Sequence, residues 1–160
     1  LNSLRKTKIN WVNFLDENIV RTQLSKLNKN SKPVFGLMNA QQMIEHLSAV
    51  TQIANGSWDL DISVSDEKTI RRKPFLNTEN ELQAGFKASF LAEEPYNLKF
   101  NSIEEAIGDL IHQIETFVKV FKDDNSRTII HPFFGVLDYE YWKMFQVKHF
   151  THHFKQFNLL

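Results

Sequence analysis

Residues 149–153 read His-Phe-Thr-His-His, and this stretch decides how the rest of the chain is interpreted. Three of the six histidines fall within these five positions, inside a segment with helical periodicity. An α-helix turns about 100° per residue, so His149 and His153, four positions apart, lie on the same face. Two aromatic and two amide side chains share that direction: Trp142, Phe145, Gln146 and Gln156. Two imidazoles directed at a protein interior indicate half of a metal site, and the other half must come from elsewhere in the chain.

A second helix supplies a third imidazole. Asn39 stands where an N-cap is expected, and Gln42 follows three residues later in capping-box position. The helix predicted over residues 39–54 carries His46 on its apolar stripe. The apolar side chains near His46 on the helical wheel are Met43, Val50 and Ile53.

The composition limits the class of protein. A chain of 160 residues with 42% hydrophobic and 24% charged residues is typical of one globular domain, which we place at residues 1–160. Nineteen basic and nineteen acidic residues cancel, so no charge excess indicates nucleic acid. The absence of cysteine excludes disulfides and thiolate ligands, and it favours a cytoplasmic protein. No apolar run approaches the ~20 residues of a membrane span, and no secretory signal is expected.

The hydrophobic pattern predicts an all-α protein built as a four-helix bundle. The predicted helices cover about residues 16–27, 39–54, 102–122 and 138–157. A long crossover joins the second helix to the third. Because a structureless loop of that length is uncommon in a compact domain, we expect short helical or strand-like pieces within it, including an amphipathic stretch over residues 79–92. We interpret residues 131–135, His-Pro-Phe-Phe-Gly, as a loop.

The histidines allow two interpretations. Neutral imidazole suits zinc, nickel and iron, and three protein ligands with an open fourth position are typical of a catalytic metal site. The alternative is that these are structural histidines, hydrogen-bonded to the backbone or to Gln42, Gln156 and Tyr139. We favour the metal site. His152 flanks the stripe and could support the site, face a substrate or simply be exposed. His131 could stand at the pocket mouth, but we favour a role in tying down its loop, and we assign His112 to the surface.

The basic cluster at residues 68–73 and the second apolar side of the last helix each allow two interpretations. The basic cluster formed by Lys68, Arg71, Arg72 and Lys73 could recognise an anionic group, but a solvated loop is the more common reason for such a run. The last helix is apolar on a second side as well, through Met144, Val147 and Phe154. We favour a homodimer contact on that side over burial by the crossover.

Four segments together resemble the DinB/YfiT-like superfamily of four-helix proteins. Residues 149–156, His-Phe-Thr-His-His-Phe-Lys-Gln, are similar to its final-helix signature, and residues 43–47, Met-Ile-Glu-His-Leu, look like its second-helix motif. Residues 36–43 and 131–135 look like an uncharacterised subgroup of that superfamily. The resemblance spans about residues 16–157.

The resemblance implies an up-down-down-up bundle, often dimeric, that binds a divalent metal through three histidines. Carried over residue by residue, the ligands are His46, His149 and His153. Characterised members are metal-dependent thiol S-transferases or related isomerases and hydrolases that use low-molecular-weight thiols. One departure concerns the surroundings of the metal, because the Arg-Gly that follows the His pair in the family is replaced by Phe154-Lys155.

The functional hypothesis is a small metal-dependent enzyme whose electrophilic substrate is framed by Gln42, Trp142, Gln156 and His152. Glu45 precedes His46 but projects about 100° away from it, so we name no carboxylate as general base. That absence favours thiol transfer over hydrolysis. The alternative is a non-catalytic, dimeric helical bundle that binds a metal or a small ligand.

Overall fold

The computed structural model describes residues 8–61, 67–84 and 97–160, and helix dominates these segments, as the sequence predicts. In chain order the helices and strands are α1 (Glu17–Leu24), α2 (Ala40–Ala54), α3 (Glu67–Arg72), a 3-10 helix (Lys73–Asn77), α4 (Ile103–Asp123), β1 (Ile129–His131), β2 (Gly135–Leu137) and α5 (Tyr139–Gln156). Of the predicted amphipathic stretch 79–92, residues 79–84 are not helical and residues 85–92 lie outside the described residues.

The three long helices begin where side chains cap their free backbone N–H groups. Asn39 accepts a hydrogen bond from the Gln42 amide, and Gln42 Oε1 accepts from the Asn39 amide at 2.8 Å, which completes the predicted capping box of α2. Ser102 caps α4 through the Glu105 amide. Asp138 caps α5. The predicted starts of all three helices are therefore confirmed.

The first helix is shorter than its hydrophobic pattern suggests. Asp16 caps it by accepting from the amides of Asn18 and Ile19, but the regular helix ends at Leu24. A turn follows, in which the Leu27 amide donates to the Leu24 carbonyl, and this turn buries Leu27 without extending the helix.

Helix α2 lies at the centre of the fold, against α4 along its length and also against α5. Most buried side chains are apolar. Two polar contacts, however, join α2 to α4. Ser48 donates to the Asp109 carboxylate, and Asn55 donates to the side chain of Gln113 at 3.0 Å. These pairs fix the position of α2 along α4, and therefore the position of His46 in the interior.

Residues 129–137 form a small antiparallel hairpin where the sequence predicts a loop. His131 pairs with Gly135, and its Nδ1 accepts hydrogen bonds from the amides of Phe133 (3.0 Å) and Phe134 (3.2 Å). Gly135 has a φ of 80°, a conformation that favours glycine. The expected loop-fixing role of His131 is confirmed. The strands were not foreseen because three residues are too few to show a strand periodicity.

The predicted basic cluster packs against this hairpin. Lys73 donates to the Val136 carbonyl at 3.0 Å, and the Arg72 guanidinium lies 3.9 Å from the centre of the Phe133 ring. Arg71 pairs with Glu67 at the surface, one turn away on α3. Two of the four basic residues therefore have roles in packing the crossover onto the rest of the fold.

The second apolar side of α5 packs within the chain, with Phe154 buried and Met144 and Val147 partly buried against the core. The Val12 amide donates to Thr151 Oγ1 at 2.9 Å, and the Phe14 ring stacks on Phe150 with 5.2 Å between centroids. Phe154 is fully buried. Because the N-terminal segment and the residues after the 3-10 helix occupy this side, it gives no support to the expected dimer contact, and the homodimer stays a prediction.

In the described part of the chain, no helix combines the length and the apolar character needed to cross a membrane.

Candidate metal centre

Three imidazoles meet between α2 and α5. Nε2 of His149 lies 2.9 Å from Nε2 of His46 and 3.1 Å from Nε2 of His153. One ligand nitrogen from each ring lies within 4.8 Å of the other two. The side chains are 9%, 5% and 5% exposed for His46, His149 and His153 respectively. The predicted convergence of His46 on the two histidines of α5 is therefore present, and the described residues provide a group that could hold a metal ion.

Hydrogen bonding alone does not explain this arrangement. A neutral imidazole nitrogen offers either one N–H or one lone pair. Nε2 of His149 therefore satisfies only one of its two Nε2 neighbours at a time. Three nitrogens directed at a common point are instead what one central cation requires.

Burial keeps the three rings in the form that binds metals. Loss of solvent, with charge repulsion from His152 as the smaller cause, lowers the pKa of His46 to about 4. Burial also holds the pKa values of His149 and His153 well below the ordinary histidine value, with repulsion among the neighbouring imidazoles as the next cause. All three are therefore neutral near pH 7, with lone pairs free to coordinate.

Gln156 selects the tautomer of His153. Its Nε2 donates to the Phe35 carbonyl at 3.0 Å, which fixes the orientation of the amide. Its Oε1 lies 2.7 Å from Nδ1 of His153 and can only accept, so Nδ1 carries the ring proton. Nε2 of His153 consequently keeps its lone pair, directed at His149. Such a partner on the far nitrogen is typical of histidines that ligate metals.

A loop before α2 packs directly on Gln156. The Val34 amide donates to the Gln156 carbonyl at 2.7 Å. Gly36 has a φ of 80°, and a Cβ at this position would lie 2.8 Å from Nε2 of Gln156. A larger residue at Gly36 would therefore be strained and would displace the amide that orients His153. The motif containing Gly36 was noted in the sequence, but its contact with the site was not predicted.

His149 differs from His153 in the hydrogen bonding of Nδ1. Among residues 8–61, 67–84 and 97–160, Nδ1 of His149 and Oε1 of Gln146 are the buried side-chain atoms that lack a hydrogen-bond partner. Leaving such an atom unpaired costs about 1–3 kcal/mol. The three rings are neutral, their nitrogens converge, and the tautomer of one is already set, so the residues fit a divalent cation. Of the three histidines, His149 is the one whose buried Nδ1 has no hydrogen-bond partner.

Three of the predicted pocket residues, His152, Gln42 and Trp142, have different contacts in the structure. His152 is half-buried beside them, with its ring 5.0 Å from that of His153 and its Nδ1 3.2 Å from the Leu82 carbonyl. Gln42 lies one turn before His46 on α2, where its Oε1 caps the helix. Trp142 is fully buried and donates to the Ile129 carbonyl at 2.9 Å, so it anchors the hairpin.

Phe145 is the aromatic residue that contacts the site directly. Its ring stacks on His149, with centroids 5.2 Å apart and an angle of 21° between the planes. The Phe145 ring also contacts His131 edge-on, with 4.3 Å between the ring centroids. Phe145 therefore separates the loop-fixing histidine from the three-histidine group. His112 is exposed on α4, as predicted.

Glu45 has a structural role. Its carboxylate accepts hydrogen bonds from the amides of Lys99 and Phe100, both at 2.9 Å, and from the side chain of Gln41 at 3.1 Å. These bonds fasten the end of the crossover to α2. They agree with the prediction that Glu45 points away from His46, and they leave this carboxylate occupied.

Comparison with known proteins gives one result. No curated protein and no solved structure matches the chain. A family model does match, over residues 7–159, and its description is "Protein of unknown function (DUF1569)". Because that match covers nearly the whole chain, the protein belongs to the DUF1569 family.

Proposed function

We propose that His46, His149 and His153 bind one divalent metal ion and that the protein is a metal-dependent enzyme acting on a small molecule. The observation that carries this proposal is the approach of three buried Nε2 atoms from two helices, with the tautomer of His153 set by Gln156. Zinc, nickel and iron are the expected metals, because neutral imidazole suits all three.

Transfer of a low-molecular-weight thiol is the reaction that we favour, with a related hydrolysis or isomerisation as the wider class. When bound, such a metal lowers the pKa of a coordinated thiol or water toward neutrality. In a thiol transfer the sulfur loses its proton to solvent and forms a bond to an electrophilic carbon, whose leaving group departs with the bonding electron pair. No separate general base is required. Glu45 is engaged by backbone amides, which supports thiol transfer over hydrolysis.

The residues around the three histidines have distinct tasks in this proposal. Gln156 orients His153, and Phe145 covers one face of His149. Nδ1 of His152 lies 3.2 Å from the Leu82 carbonyl. Because the ring is only half-buried, His152 is the residue that contacts the substrate in this proposal. Gln42 and Trp142 were expected in the pocket; their capping and anchoring contacts favour supporting roles.

We also propose the arrangement that the DinB/YfiT-like resemblance implies. In this arrangement α1, α2, α4 and α5 form an up-down-down-up four-helix bundle, with the crossover between α2 and α4. A homodimer and a cytoplasmic location belong to the same proposal. The absence of cysteine supports the cytoplasmic location, and the zero net charge gives no reason to expect nucleic acid as a partner. A membrane is not expected as a partner either.

The second candidate function is a non-catalytic bundle that binds a metal or a small ligand. The low exposure of the three histidines favours it, because a metal enclosed by protein has no room for a substrate. The two functions differ in whether the bound metal keeps a position open to solvent or thiols.

Metal analysis tests the site. The purified chain is stripped with a chelator, reconstituted with zinc or nickel, and analysed for metal. We expect about one ion per chain in the wild type and a loss in His149→Ala, with His112→Ala as the matched control because His112 is an exposed histidine. Equal metal content in His149→Ala and the wild type would show that the ligands are assigned incorrectly.

Thiol consumption tests the chemistry. The reconstituted wild type is incubated with a low-molecular-weight thiol and an electrophile, such as an epoxide or an alkyl halide, and free thiol is measured over time. We expect consumption that depends on protein and metal and is lost in His46→Ala. A fully loaded wild type that consumes no thiol with any such electrophile would favour the non-catalytic function.

A further inference from the structure

In the described part of the chain, the two buried side-chain atoms without a hydrogen-bond partner, Nδ1 of His149 and Oε1 of Gln146, are complementary. If Nε2 of His149 coordinates a metal, the proton of this ring moves to Nδ1, which then becomes a buried donor without an acceptor. Oε1 of Gln146 is a buried acceptor without a donor. The two residues are three positions apart on α5, a spacing that places Cβ atoms about 5–6 Å apart on one helical face.

Gln146 is held so that its oxygen stays free. Its Nε2 donates to Thr51 Oγ1 at 3.0 Å. The Thr51 hydroxyl donates in turn to the Leu47 carbonyl at 2.8 Å, so it accepts from the amide and has no proton left for Oε1. The amide orientation is therefore fixed with its oxygen away from Thr51, and both remaining hydrogen-bond requirements lie on the side chains of Gln146 and His149.

From this complementarity we propose that Gln146 is the positioning residue for His149, which rests on the metal site proposed above. On metal binding, Oε1 of Gln146 accepts a hydrogen bond from Nδ1–H of His149, either directly after a small side-chain rotation or through one bridging water. Gln146 then does for His149 what Gln156 does for His153. Because Thr51 lies on α2 with His46, the same chain of hydrogen bonds joins the two ligand-bearing helices.

Separate variants test the acceptor, Oε1 of Gln146, and its tether, the hydrogen bond from Gln146 Nε2 to Thr51 Oγ1. Gln146→Leu removes the acceptor. Gln146→Glu keeps an acceptor, and a carboxylate is a common partner of metal-bound histidine. Thr51→Val removes the tether and leaves Oε1 in place. The matched comparison is Gln156→Leu, which removes the corresponding partner of His153.

Zinc affinity of the full chain, measured by competition with a chelating dye, is the first readout. We expect Gln146→Leu to bind zinc roughly 10–100-fold more weakly than the wild type, as is usual when the partner of a ligating histidine is lost. Gln146→Glu should restore tight binding, and Thr51→Val should lie between them. Equal affinities for the wild type and Gln146→Leu would overturn the proposal even if the variant melts at a lower temperature, because a purely structural role changes stability alone.

Nitrogen-15 NMR of the zinc-loaded chain is the second readout, and it needs no variant that fails to fold. We expect the His149 ring of the wild type to carry its proton on Nδ1, with slow exchange against solvent. Coordination through Nδ1, or an Nδ1 proton that exchanges as fast as that of an exposed histidine, would overturn the proposal. A wild type that binds no metal after reconstitution would instead refute the metal site itself.

Discussion

Nδ1 of His153 lies 2.7 Å from Oε1 of Gln156, and this contact determines which nitrogen of His153 faces His149. The Gln156 amide is fixed from its other end by the Phe35 carbonyl, so its oxygen stays toward the ring. The last turn of α5 therefore provides both one histidine of the group that could hold a metal ion and the amide that sets the tautomer of that histidine.

The first prediction concerns this amide. Gln156→Leu should weaken zinc binding roughly 10–100-fold, because Nδ1 of His153 loses its acceptor and the ring is no longer held. Gln156→Glu should bind zinc at least as tightly as the wild type, since a carboxylate also accepts from Nδ1. Competition with a chelating dye measures both. If Gln156→Leu and the wild type bind zinc equally, His153 does not depend on this partner.

The sequence was sufficient to predict which three histidines face the interior and meet there. His149 and His153 are four residues apart on one helix, and helical spacing alone makes them neighbours. The capping box at Asn39 and Gln42 sets the start of α2, and the apolar stripe of that helix places His46 on the buried face. These relations are local, so periodicity and capping could reveal them before any coordinates were known.

The parts that sequence reasoning missed depend on contacts between distant segments. Nothing local to Thr151 or Phe150 indicates that residues 8–15 will pack against them on α5, and this contact was not predicted. The hairpin at residues 129–137 depends on His131 accepting two backbone amides and on Trp142 bonding back to Ile129. Such contacts leave no periodic signal in the sequence.

The second prediction is an acid sensitivity that arises from His131. Burial lowers its pKa from 6.5 to about 3, so between these values the unfolded chain binds a proton there and the folded chain does not. The free energy of unfolding therefore falls as the pH falls below 6.5, by roughly 2 kcal/mol between pH 6.5 and pH 5 for this side chain.

Urea unfolding of the metal-free protein at pH 7 and pH 5 measures this effect, with His131→Asn as the matched variant. The asparagine oxygen can still accept from the amides of Phe133 and Phe134, but it does not titrate. The variant should lose about 2 kcal/mol less than the wild type over this interval. Equal losses in both proteins would mean that His131 is not the source of the sensitivity.

The third prediction concerns Lys148, which fastens the crossover to α5. Its ammonium donates to the carbonyls of Thr78 and Asn80, both at 2.6 Å, and lies 4.9 Å from the centre of the Trp11 ring. Lys148→Ala should lower the free energy of unfolding by roughly 1.5–3 kcal/mol, because hydrogen bonds from a charged donor are lost. Lys143→Ala, which removes a surface ion pair, should change it by about 0–1 kcal/mol. Chemical denaturation compares them, and similar losses in the two variants would contradict the assigned role.

The fourth prediction distinguishes structure from chemistry at Glu45. Because its carboxylate accepts from the amides of Lys99 and Phe100, Glu45→Ala should lower the melting temperature of the metal-free protein. The zinc affinity of the folded variant should remain that of the wild type, since Glu45 points away from His46. A variant with normal stability but lost thiol transfer would instead make Glu45 part of the reaction.

The most direct test of the metal site is anomalous diffraction from crystals grown with zinc. We expect one strong peak between α2 and α5, about 2.0–2.1 Å from Nε2 of each of His46, His149 and His153. A map without a peak at this position, or with zinc held only by an exposed group such as His112, would contradict the assignment on which the proposed function rests.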